Sequence, residues 1–556
     1  MIGTHDVVDC PEMSGEAPVK SHCLPFTQIP HTSRLFLDFT GNFPKVQRFY
    51  SRPPQFQAWF KDEATLIPYD PARRERVAAI LEHQNWNWGS SAKTLANIAR
   101  FRAGAAVVVT GQQVGLFGGP LFSLFKALSA VKLAAEASAG GVDTVPVFWL
   151  ATQDHDLEEV NHVSLPGPDG PLVKIVAPSH GVADAPVSTV QFGEEIEPAV
   201  QEAVQLLGES EASNWLRQAY RPGETLGTAF ARLFSHLFAA WGVILLDSSD
   251  PELNRIVEPI YRAAIESAAQ LDDALLARGQ ELEAAGYHQQ VKVTPSSTLL
   301  FTLKDGSRIP VHRRTNGNSH EFLIGDEKLS KAEVQRRISA APEKFSANVL
   351  LRPVKQDYLL PTLAYTGGAA EVAYFAQAAV VYNALLGRVT PILPRFSATL
   401  VEPKQQRLLE KYKLSLPDLF RGSDSLRESL AQRTLPPDLQ SAFENAQTGL
   451  ENSLSAVRES LARLDLTLVE ACTHAAAKMQ HQLEQLRSRA ARAELRQSEL
   501  LARHAEQLGN FLHPEKSLQE REIAGIYFIS RYGQDLLSRL YEVVHTDCHD
   551  HQMIEL

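Results

Sequence analysis

Acidic and imidazole side chains follow directly after a short apolar run in the first third of the chain. Val145–Ala151 reads VPVFWLA and predicts a buried strand, and Gln153–Asp156 (QDHD) comes next. Carboxylates that flank an imidazole can bind a divalent cation or contact a polar substrate, and an Asp can also cap a helix that begins at Leu157. No second histidine or acidic pair stands at a fixed spacing to complete a metal site, so no metal ligands are predicted.

A glycine-rich turn follows another apolar run. Ala105–Val109 predicts a parallel strand, Thr110–Gln113 ends it, and Gly118, Gly119 and Pro120 precede an amphipathic helix. Free N–H groups and the positive dipole end of a helix can hold an anion, whereas the glycines can equally serve close packing. Neither the dinucleotide fingerprint G-x-G-x-x-G nor the phosphate loop G-x-x-x-x-G-K-[ST] is present.

Further candidate site residues stand where predicted elements begin or end. Glu371 lies in the first turn of a helix opened by Gly367–Gly368, and Arg395 and Ser397 follow the predicted strand Val389–Leu393. An acid at a helix start can stabilise that start or bind an ammonium group. An arginine with a nearby hydroxyl suits a phosphate or a carboxylate, or it braces a turn.

The elements that position these residues alternate between strand and helix. The core continues with Val243–Asp247, resumes with Val349–Arg352 and Tyr358–Tyr365, and ends with Val389–Leu393. Ligands of open parallel sheets bind at the carboxyl ends of the strands. The predicted fold class is α/β, with the candidate residues at that edge of a parallel sheet.

Two stretches interrupt this alternation. Residues 166–210 are rich in Pro and Gly and contain short alternating pieces such as Leu172–Val176 and Val187–Phe192, which indicates a small β-rich insertion. Residues 287–340 contain two strands around a hairpin signal, and Pro310 places the second strand at a sheet edge. Arginines of this second stretch, such as Arg308, indicate either a solvated basic face or a binding surface.

The region after Lys404 is typical of a coiled coil. Apolar residues recur at three- and four-residue steps from Phe443 to Leu468, and no Pro or Gly occurs over 451–508. Thr467–Glu470 fits a capping box, so a second helix is expected to start near Asp465. We predict an antiparallel helical hairpin with its tip near 465–467, and self-association through it.

The composition of the chain argues against several classes of protein. A net charge of −11 over 556 residues argues against a large nucleic-acid footprint. No apolar run reaches the about 18 residues of a membrane-spanning helix, and the polar N-terminal stretch lacks the apolar region of a secretion signal. The four cysteines form no C-x-x-C pair, which is typical of a reducing compartment, so we expect a cytoplasmic protein.

The chain resembles a known family on five motifs that occur in the same order over essentially its whole length after the leader. These are TGQQVGLFGGPLF, VFWLATQDHDLEEVNHV, LRPVKQDYLLPTLAYTGGAAEVAYFAQ, ILPRFSATLVE and LQERE…YFISRYG. They are similar to the bacillithiol biosynthesis cysteine-adding enzymes, the cysteine ligase family. The resemblance implies a Rossmann core similar to class I aminoacyl-tRNA synthetases, two connecting-peptide insertions and a coiled coil that makes a homodimer.

The patterns along the chain, together with the resemblance, divide it into segments. They are a loose leader (1–30), the Rossmann core in three parts (31–165, 211–286 and 341–404), two insertions (166–210 and 287–340), a coiled-coil domain (405–510) and a C-terminal segment packing back on the core (511–556).

Site residues carried over from the resemblance fall into two groups. The catalytic group is Gln153, Asp154, His155, Asp156 and Glu371, and the substrate- or nucleotide-binding group is Thr110, Gly111, Gln112, Gln113, Gly118, Gly119, Pro120, Tyr365, Gly367, Gly368, Tyr374, Arg395 and Ser397. The family pattern has an acid before D-H-D where this chain has Gln153, which removes a charge. The synthetase signature H-I-G-H is also absent from this chain.

The implied reaction joins the carboxyl group of cysteine to the amino group of glucosaminyl-malate, so the expected enzyme is a ligase that forms a carbon–nitrogen bond. Amide formation from a free carboxylate needs an activating step, and the expected cosubstrate is ATP or another activating nucleotide. Expected partners are these small molecules and a second copy of the chain. Two alternatives remain at this stage: another nucleotidyl-transferring or aminoacylating enzyme, and a catalytically silent coiled-coil scaffold.

Overall fold

The structure is a computed structural model of the 556-residue chain, and it describes residues 20–168, 170–178, 181–316, 319–433, 435–497 and 499–556. Most of the predicted leader, residues 1–19, lies outside the described residues.

The strands of the described chain are named in sequence order. They are β1 (Lys20–Leu24), β2 (Ala106–Gln112), β3 (Thr144–Leu150), β4 (His162–Pro166), β5 (Leu172–Val176), β6 (Ile244–Asp247), β7 (Ser297–Lys304), β8 (Ser307–Asn316), β9 (Ser319–Ile324), β10 (Glu327–Ser330), β11 (Phe345–Ala347), β12 (Thr362–Gly367), β13 (Ile392–Pro394), β14 (Ala398–Val401) and β15 (His551–Glu555).

The α-helices are named in the same way. They are α1 (Arg34–Gly41), α2 (Phe60–Ala64), α3 (Pro71–Asn87), α4 (Ala92–Ala103), α5 (Phe122–Ala139), α6 (Leu157–Val160), α7 (Ile196–Leu207), α8 (Glu211–Ala219), α9 (Leu226–Leu237), α10 (Pro251–Glu266), α11 (Ala268–Ala284), α12 (Lys331–Ala340), α13 (Arg352–Leu359), α14 (Ala369–Leu385), α15 (Pro403–Tyr412), α16 (Leu416–Leu419), α17 (Ser423–Arg433), α18 (Pro437–Leu464), α19 (Thr467–Gln497), α20 (Glu499–Leu512), α21 (Gln519–Glu522), α22 (Gly525–Tyr532) and α23 (Asp535–Val543).

A five-stranded parallel sheet forms the core, in the order β13-β12-β2-β3-β6. Numbered by their order along the chain, these strands read 5-4-1-2-3, which is the doubly wound order of dinucleotide-binding folds. The direction of winding reverses between β2 and β12, and such a switch point leaves a crevice at the carboxyl ends of the two strands. The predicted parallel α/β core is confirmed.

Both faces of the core sheet are covered. Along β3, Val147 and Trp149 belong to the hydrophobic core on one face, and Phe148 and Leu150 belong to the core on the other. All four side chains are buried. Because alternate residues of a strand point to opposite faces, a strand buried on both faces shows the continuous apolar run seen in the sequence.

The stretch from Val349 to Arg352 is not the strand that its apolar composition predicts. The Asn348 side-chain oxygen accepts hydrogen bonds from the backbone N–H groups of Leu350 and Leu351, both at 3.0 Å. This turn leads directly into α13, which begins at Arg352. A local side-chain acceptor therefore overrides the strand propensity of the apolar run.

The second interrupting stretch forms an antiparallel sheet in the order β10-β9-β8-β7-β11. The predicted pairing of β7 with β8 is confirmed, but the edge position of β8 is wrong, since β9 lies on its other side. The ladder between β8 and β9 begins at Val311, so Pro310 stands just before it and its missing N–H costs no bond to β9.

The first interrupting stretch matches its prediction in part, since the expected strand piece Leu172–Val176 forms β5. Val187–Phe192 is not a strand: Val187–Thr189 forms a 3-10 turn, and the stretch also contains α7. Among the described residues of this stretch, β5 pairs with the preceding strand β4 in an antiparallel pair.

The two ends of the described chain meet in a three-stranded sheet, β1-β15-β14. β1 pairs antiparallel with β15, although a loose leader is expected over residues 1–30. Beside this sheet the Sγ atoms of Cys23 and Cys548 lie 3.8 Å apart and are not bonded. β15 also pairs in parallel with β14, so the C-terminal segment packs back on the chain next to the core.

The predicted helical hairpin is confirmed. α18 ends at Leu464 and α19 begins at Thr467, and Asp465 accepts the Thr467 N–H at 2.8 Å. Cys472 of α19 lies against the Leu454 carbonyl oxygen of α18. In the described ranges, no helix is both long and apolar enough to cross a membrane.

Candidate active site

A cleft of about 740 Å³ lies at the switch point of the sheet. Its lining residues come from the carboxyl ends of the core strands, from α5, α13 and α14, and from the antiparallel sheet of β7 and β8. Of the residues predicted for the site, those that line it are Gly111, Gln112, Gln113, Gln153, Asp154, His155, Tyr365, Gly368, Glu371, Tyr374 and Arg395. The cleft therefore lies at the carboxyl edge of the sheet, where the sequence predicts the site.

A buried ion pair joins the two sides of the switch point. Lys126 of α5 places Nζ 2.7 Å from Oε2 of Glu371 in α14. The same ammonium group donates to the Gly111 carbonyl oxygen at 2.7 Å and to Gln112 Oε1 at 2.8 Å. Burial lowers the pKa of Lys126 to about 8, and Glu371 acts in the opposite direction.

The start of α14 is built around the Glu371 carboxylate. The Gly368 N–H donates to Oε2 at 2.7 Å, and the Tyr365 hydroxyl donates to Oε1. Burial alone raises the pKa of Glu371, but Lys126 and these hydrogen bonds outweigh it and hold the pKa below its ordinary value. Both sequence interpretations of Glu371 meet here, since it stabilises the helix start and binds an ammonium group that the protein itself supplies.

Gly367 is required by this packing. A Cβ at Gly367 would lie 2.8 Å from the Glu371 side chain, closer than side-chain carbons approach one another. The backbone also serves the neighbouring strand, because the Gly367 carbonyl oxygen accepts the Arg395 N–H at 2.8 Å. Glycine at this position lets Glu371 fold back over the strand end.

The two aspartates of the D-H-D motif have different roles. Asp156 accepts the Glu159 N–H at 3.2 Å and caps α6, so it does what the capping interpretation predicts, and it does not line the cleft. Asp154 accepts the His155 N–H at 2.8 Å and a hydrogen bond from Gln113 Nε2 at 3.1 Å. Within the described ranges, no group of three or more His, Cys, Asp or Glu residues is placed to bind a metal ion.

Arg308 of β8 fixes the D-H-D motif from the antiparallel sheet. Its Nη1 lies 2.9 Å from His155 Nδ1 and 3.6 Å from Asp154 Oδ1. Since a guanidinium only donates, Nδ1 of His155 accepts and its ring proton is assigned to Nε2. Arg308 is buried, with its guanidinium carbon 3.9 Å from the centre of the Phe301 ring. It is therefore a site residue and not part of a solvated basic face.

Two further arginines of that stretch, Arg313 and Arg337, each pair with a carboxylate. Arg313 pairs with Asp272 at 2.8 Å in the protein interior. Arg337 pairs with Glu327 at 2.5 Å on the surface. A binding surface in this stretch stays a prediction, and two of its basic residues, Arg308 and His312, line the cleft.

Gln153 contacts a second buried lysine of the cleft, Lys355. Lys355 of α13 is fully buried and donates to Gln153 Oε1 at 2.7 Å, to Asn254 Oδ1 at 2.9 Å and to the Ser248 carbonyl oxygen at 3.2 Å. Burial lowers the pKa of Lys355 to about 7, and Asp247 opposes that shift. Arg352 lies one turn earlier on α13 and donates to the Tyr374 hydroxyl at 2.6 Å.

Several predicted residues lie outside the cleft. Gly118, Gly119 and Pro120 are not among its lining residues, and the Gly118 N–H donates to the Tyr220 hydroxyl at 3.1 Å. The glycine-rich turn serves close packing, as its alternative interpretation allows: Gly118 and Gly119 have φ of +90° and +71°.

Thr110 and Ser397 are also turned into the protein interior. Thr110 is buried and donates to the Thr366 carbonyl oxygen at 2.8 Å. Ser397 is buried beside the cleft, where it donates to Glu520 Oε1 at 3.0 Å and lies 2.7 Å from His551 Nδ1.

Glu520, a residue that sequence reasoning did not single out, holds Arg395 at the cleft. The Arg395 guanidinium lies 2.6 Å from Glu520 Oε1 and donates to the Phe396 carbonyl oxygen at 2.7 Å. The C-terminal segment therefore contributes to the shape of the cleft. In the sequence, Glu520 lies in the motif LQERE, and the spacing of its acidic residues does not indicate a function.

Comparison with known proteins agrees with this architecture. Residues 19–396 match the family model of the bacillithiol biosynthesis BshC N-terminal Rossmann-like domain. Residues 398–556 match the model of the BshC C-terminal coiled-coil domain. The chain belongs to the BshC family. The two BshC domain models meet between β13 and β14, where the core sheet ends.

Relatives in the BshC family span the same length. A protein of Koribacter versatilis named "Putative cysteine ligase BshC" is 50% identical over 534 residues, which cover 96% of this chain and 99% of that protein. Proteins of the same name from Solibacter usitatus and Salinibacter ruber are 35% and 34% identical, over 96% and 94% of this chain and 99% and 96% of their own. The likeness therefore covers the cleft, the antiparallel sheet and the hairpin.

Proposed function

We propose that this protein is a cysteine ligase of bacillithiol biosynthesis, which joins the carboxyl group of L-cysteine to the amino group of glucosaminyl-malate. The observation that carries the proposal is the polar cleft at the switch point of a BshC-family Rossmann-like core. Relatives that match over nearly their whole length bear the name of a cysteine ligase.

The charge of the cleft suits this acceptor. Among the described residues that line it, six are Lys or Arg (Lys126, Arg308, Arg352, Lys355, Arg395 and Arg521) and three are Asp or Glu (Asp154, Glu159 and Glu371). The whole chain carries a net charge of −11, so the surplus of positive charge is local. An anionic substrate such as one with a malate group is attracted to such a cleft.

Activation of the cysteine carboxylate is proposed to use ATP or another nucleotide. Phosphoryl or nucleotidyl transfer converts the carboxylate into a mixed anhydride, and attack by the acceptor amine then forms the amide. Lysine and arginine side chains of the cleft suit the phosphate groups. The protein supplies orientation and fixed positive charge, because the Lys126–Glu371 pair and the α14 start are held by several hydrogen bonds each.

The hairpin is proposed to form a homodimer. Large apolar side chains remain exposed on it in the single chain: Val457 and Leu464 on α18, and Met479 and Leu486 on α19. Each pair is one heptad apart and therefore shares a helix face. A second copy of the chain covers such a stripe with matching residues.

We place the enzyme in the cytoplasm, where the nucleotide cosubstrate and free cysteine are available. The described cysteines Cys23, Cys472 and Cys548 are free, which supports a reducing compartment.

Mass spectrometry of the full-length protein with cysteine, glucosaminyl-malate, Mg²⁺ and ATP tests the proposal. The expected product is the cysteinyl amide, formed with ATP and absent without nucleotide, and release of AMP or ADP identifies the activation route. Absence of the product with every nucleotide tried would overturn the proposal.

A further inference from the structure

Most buried cations of the cleft have a carboxylate partner. The pairs are Lys126–Glu371 at 2.7 Å, Arg308–Asp154 at 3.6 Å and Arg395–Glu520 at 2.6 Å. In each pair the cation side chain is at most 7% exposed, so the partner replaces the water that the charge has lost.

Two cations on one helix differ from these pairs. Within the part of the chain that the structure describes, Arg352 and Lys355 form no ion pair with a carboxylate within 4.0 Å. Both donate hydrogen bonds to neutral oxygens. Arg352 donates to the Tyr374 hydroxyl and to Gln356 Oε1. Lys355 donates to Gln153 Oε1, Asn254 Oδ1 and the Ser248 carbonyl oxygen. At three residues apart, both side chains leave neighbouring positions on α13, and both line the cleft.

The side chain of Gln153 contacts Lys355, so the residue type at position 153 determines whether Lys355 has a carboxylate partner. Its Oε1 lies 2.7 Å from Lys355 Nζ, which is ion-pair distance, and its amide carries no charge. A glutamate has nearly the same shape and would neutralise Lys355 there. With a glutamine, the three N–H groups of the ammonium donate to neutral oxygens, and Asp247 and Asp250 act on its charge only from beyond ion-pair distance.

A buried ammonium group with no carboxylate in direct contact is costly, and an anion bound nearby lowers that cost. The lowered pKa of Lys355 reflects the cost, since burial favours the neutral amine. Charged groups that face Lys355 are Asp247 and Asp250, which favour the ammonium form, and Arg308, which disfavours it.

We infer that Arg352 forms an anion subsite in the floor of the cleft, which binds a carboxylate or phosphate group of a ligand, and that the Lys355 ammonium, whose three N–H groups already donate to protein oxygens, adds a positive charge beside it that Gln153 does not neutralise. The inference rests on the proposed function insofar as it names the anionic group of a substrate in the same cleft. A carboxylate of the acceptor and a phosphate of the nucleotide share the required chemistry, and the two sources are separated below.

Calorimetric titration of the full-length protein with L-malate and, separately, with inorganic phosphate tests the subsite without turnover. The wild type is expected to bind at least one of the two saturably, and the probe that binds more tightly identifies the source of the anion. Gln153→Glu is expected to weaken that binding at least tenfold and to raise the melting temperature, because the new carboxylate becomes the counter-ion of Lys355.

Gln201→Glu is the matched control. Gln201 is exposed on α7, away from the cleft, and the substitution changes the net charge by the same amount. Its affinity for the probe is expected to equal that of the wild type. Equal affinities of the wild type and Gln153→Glu, or no saturable binding of either anion, would overturn the inference.

A pH series with L-malate provides the second arm. The malate carboxyl groups are ionised from pH 6 to pH 8, whereas Lys355 loses its proton near pH 7. Affinity is therefore expected to fall as the pH rises through this window in the wild type, and Gln153→Glu should abolish the pH dependence. Pairing this titration with the product assay separates the two proposals: product without anion binding contradicts the subsite alone, and anion binding without product contradicts the ligase alone.

Discussion

Lys126 Nζ lies 2.7 Å from Glu371 Oε2, although 245 residues separate the two along the chain. Lys126 belongs to the helix that follows β2, and Glu371 belongs to the helix that follows β12. The ion pair thus spans the point where the winding of the sheet reverses. It links the two halves of the core at the position where a ligand of a doubly wound sheet binds.

Breaking this pair on one side should destabilise the protein. Glu371→Gln leaves the Lys126 ammonium buried without its counter-ion, and a loss of roughly 3–5 kcal/mol in the free energy of unfolding is expected. Lys126→Met should cost a similar amount. The double variant should lose less than the sum of both, because neither charge is then left alone. Urea unfolding curves measure these differences, and strictly additive losses would contradict the coupling.

Asp156 is expected to act on stability and not on the reaction. Asp156→Ala removes the cap of α6 and should lower the free energy of unfolding by about 1 kcal/mol, with product formation retained. Asp154→Ala is the comparison variant, since Asp154 lines the cleft and contacts Gln113 and Arg308. It should reduce product formation much more. Loss of activity in Asp156→Ala at unchanged melting temperature would show instead that Asp156 is catalytic.

His551 makes stability depend on pH. It is buried, with Nδ1 2.7 Å from Ser397 Oγ and Nε2 2.8 Å from Thr399 Oγ1, and burial lowers its pKa from 6.5 to about 4. Between these two values the unfolded chain binds a proton that the folded chain does not, so the free energy of unfolding falls as the pH falls. The contribution is roughly 3 kcal/mol over that window.

Melting temperatures of the wild type and His551→Gln from pH 7 to pH 4 check this prediction. The variant should lose less stability on acidification than the wild type. His22→Gln, at an exposed histidine of β1, controls for removal of a histidine as such. Parallel curves for the wild type and His551→Gln would be inconsistent with the burial of a neutral His551.

The proposed dimer depends on the exposed heptad positions of the hairpin. A Met479→Glu, Leu486→Glu double variant places two charges on that face of α19 and should dissociate the dimer into folded monomers. Light scattering after size-exclusion chromatography measures the mass. Gln485→Glu adds a charge at an exposed polar position that is adjacent in sequence to Leu486 and therefore on another face of the same helix, and it should leave the mass unchanged. A monomeric wild type would refute the proposal.

Local signals predicted most of the core strands and the hairpin tip, because each depends on residues that are neighbours in sequence. The apolar run of β3 and the turn at Asp465 are examples. The cations of the site could not be predicted in this way. Lys126, Lys355 and Arg308 follow no spacing rule, and each meets its partner only after distant elements pack together.

The wrong predictions can be traced to single residues. Pro310 suggested an edge strand, but the ladder between β8 and β9 begins one residue later, so the missing N–H has no consequence there. Gly118 and Gly119 suggested an anion site, but the positive φ angles shape a turn whose Gly118 N–H is already bonded to Tyr220. In each case the residue type indicated an unusual backbone conformation. Only the packing of the folded chain determined what that conformation does.

Formation of the cysteinyl amide by Gly367→Ala, compared with Gly41→Ala, tests most directly that the cleft at the switch point carries out the reaction. A Cβ at Gly367 meets the Glu371 side chain at 2.8 Å, whereas a Cβ at Gly41 meets nothing within 4 Å. With ATP, cysteine and glucosaminyl-malate, we expect wild-type rates for Gly41→Ala and a loss of at least tenfold for Gly367→Ala, with both variants folded by circular dichroism. Wild-type product formation by folded Gly367→Ala would contradict the assignment of this cleft as the active site.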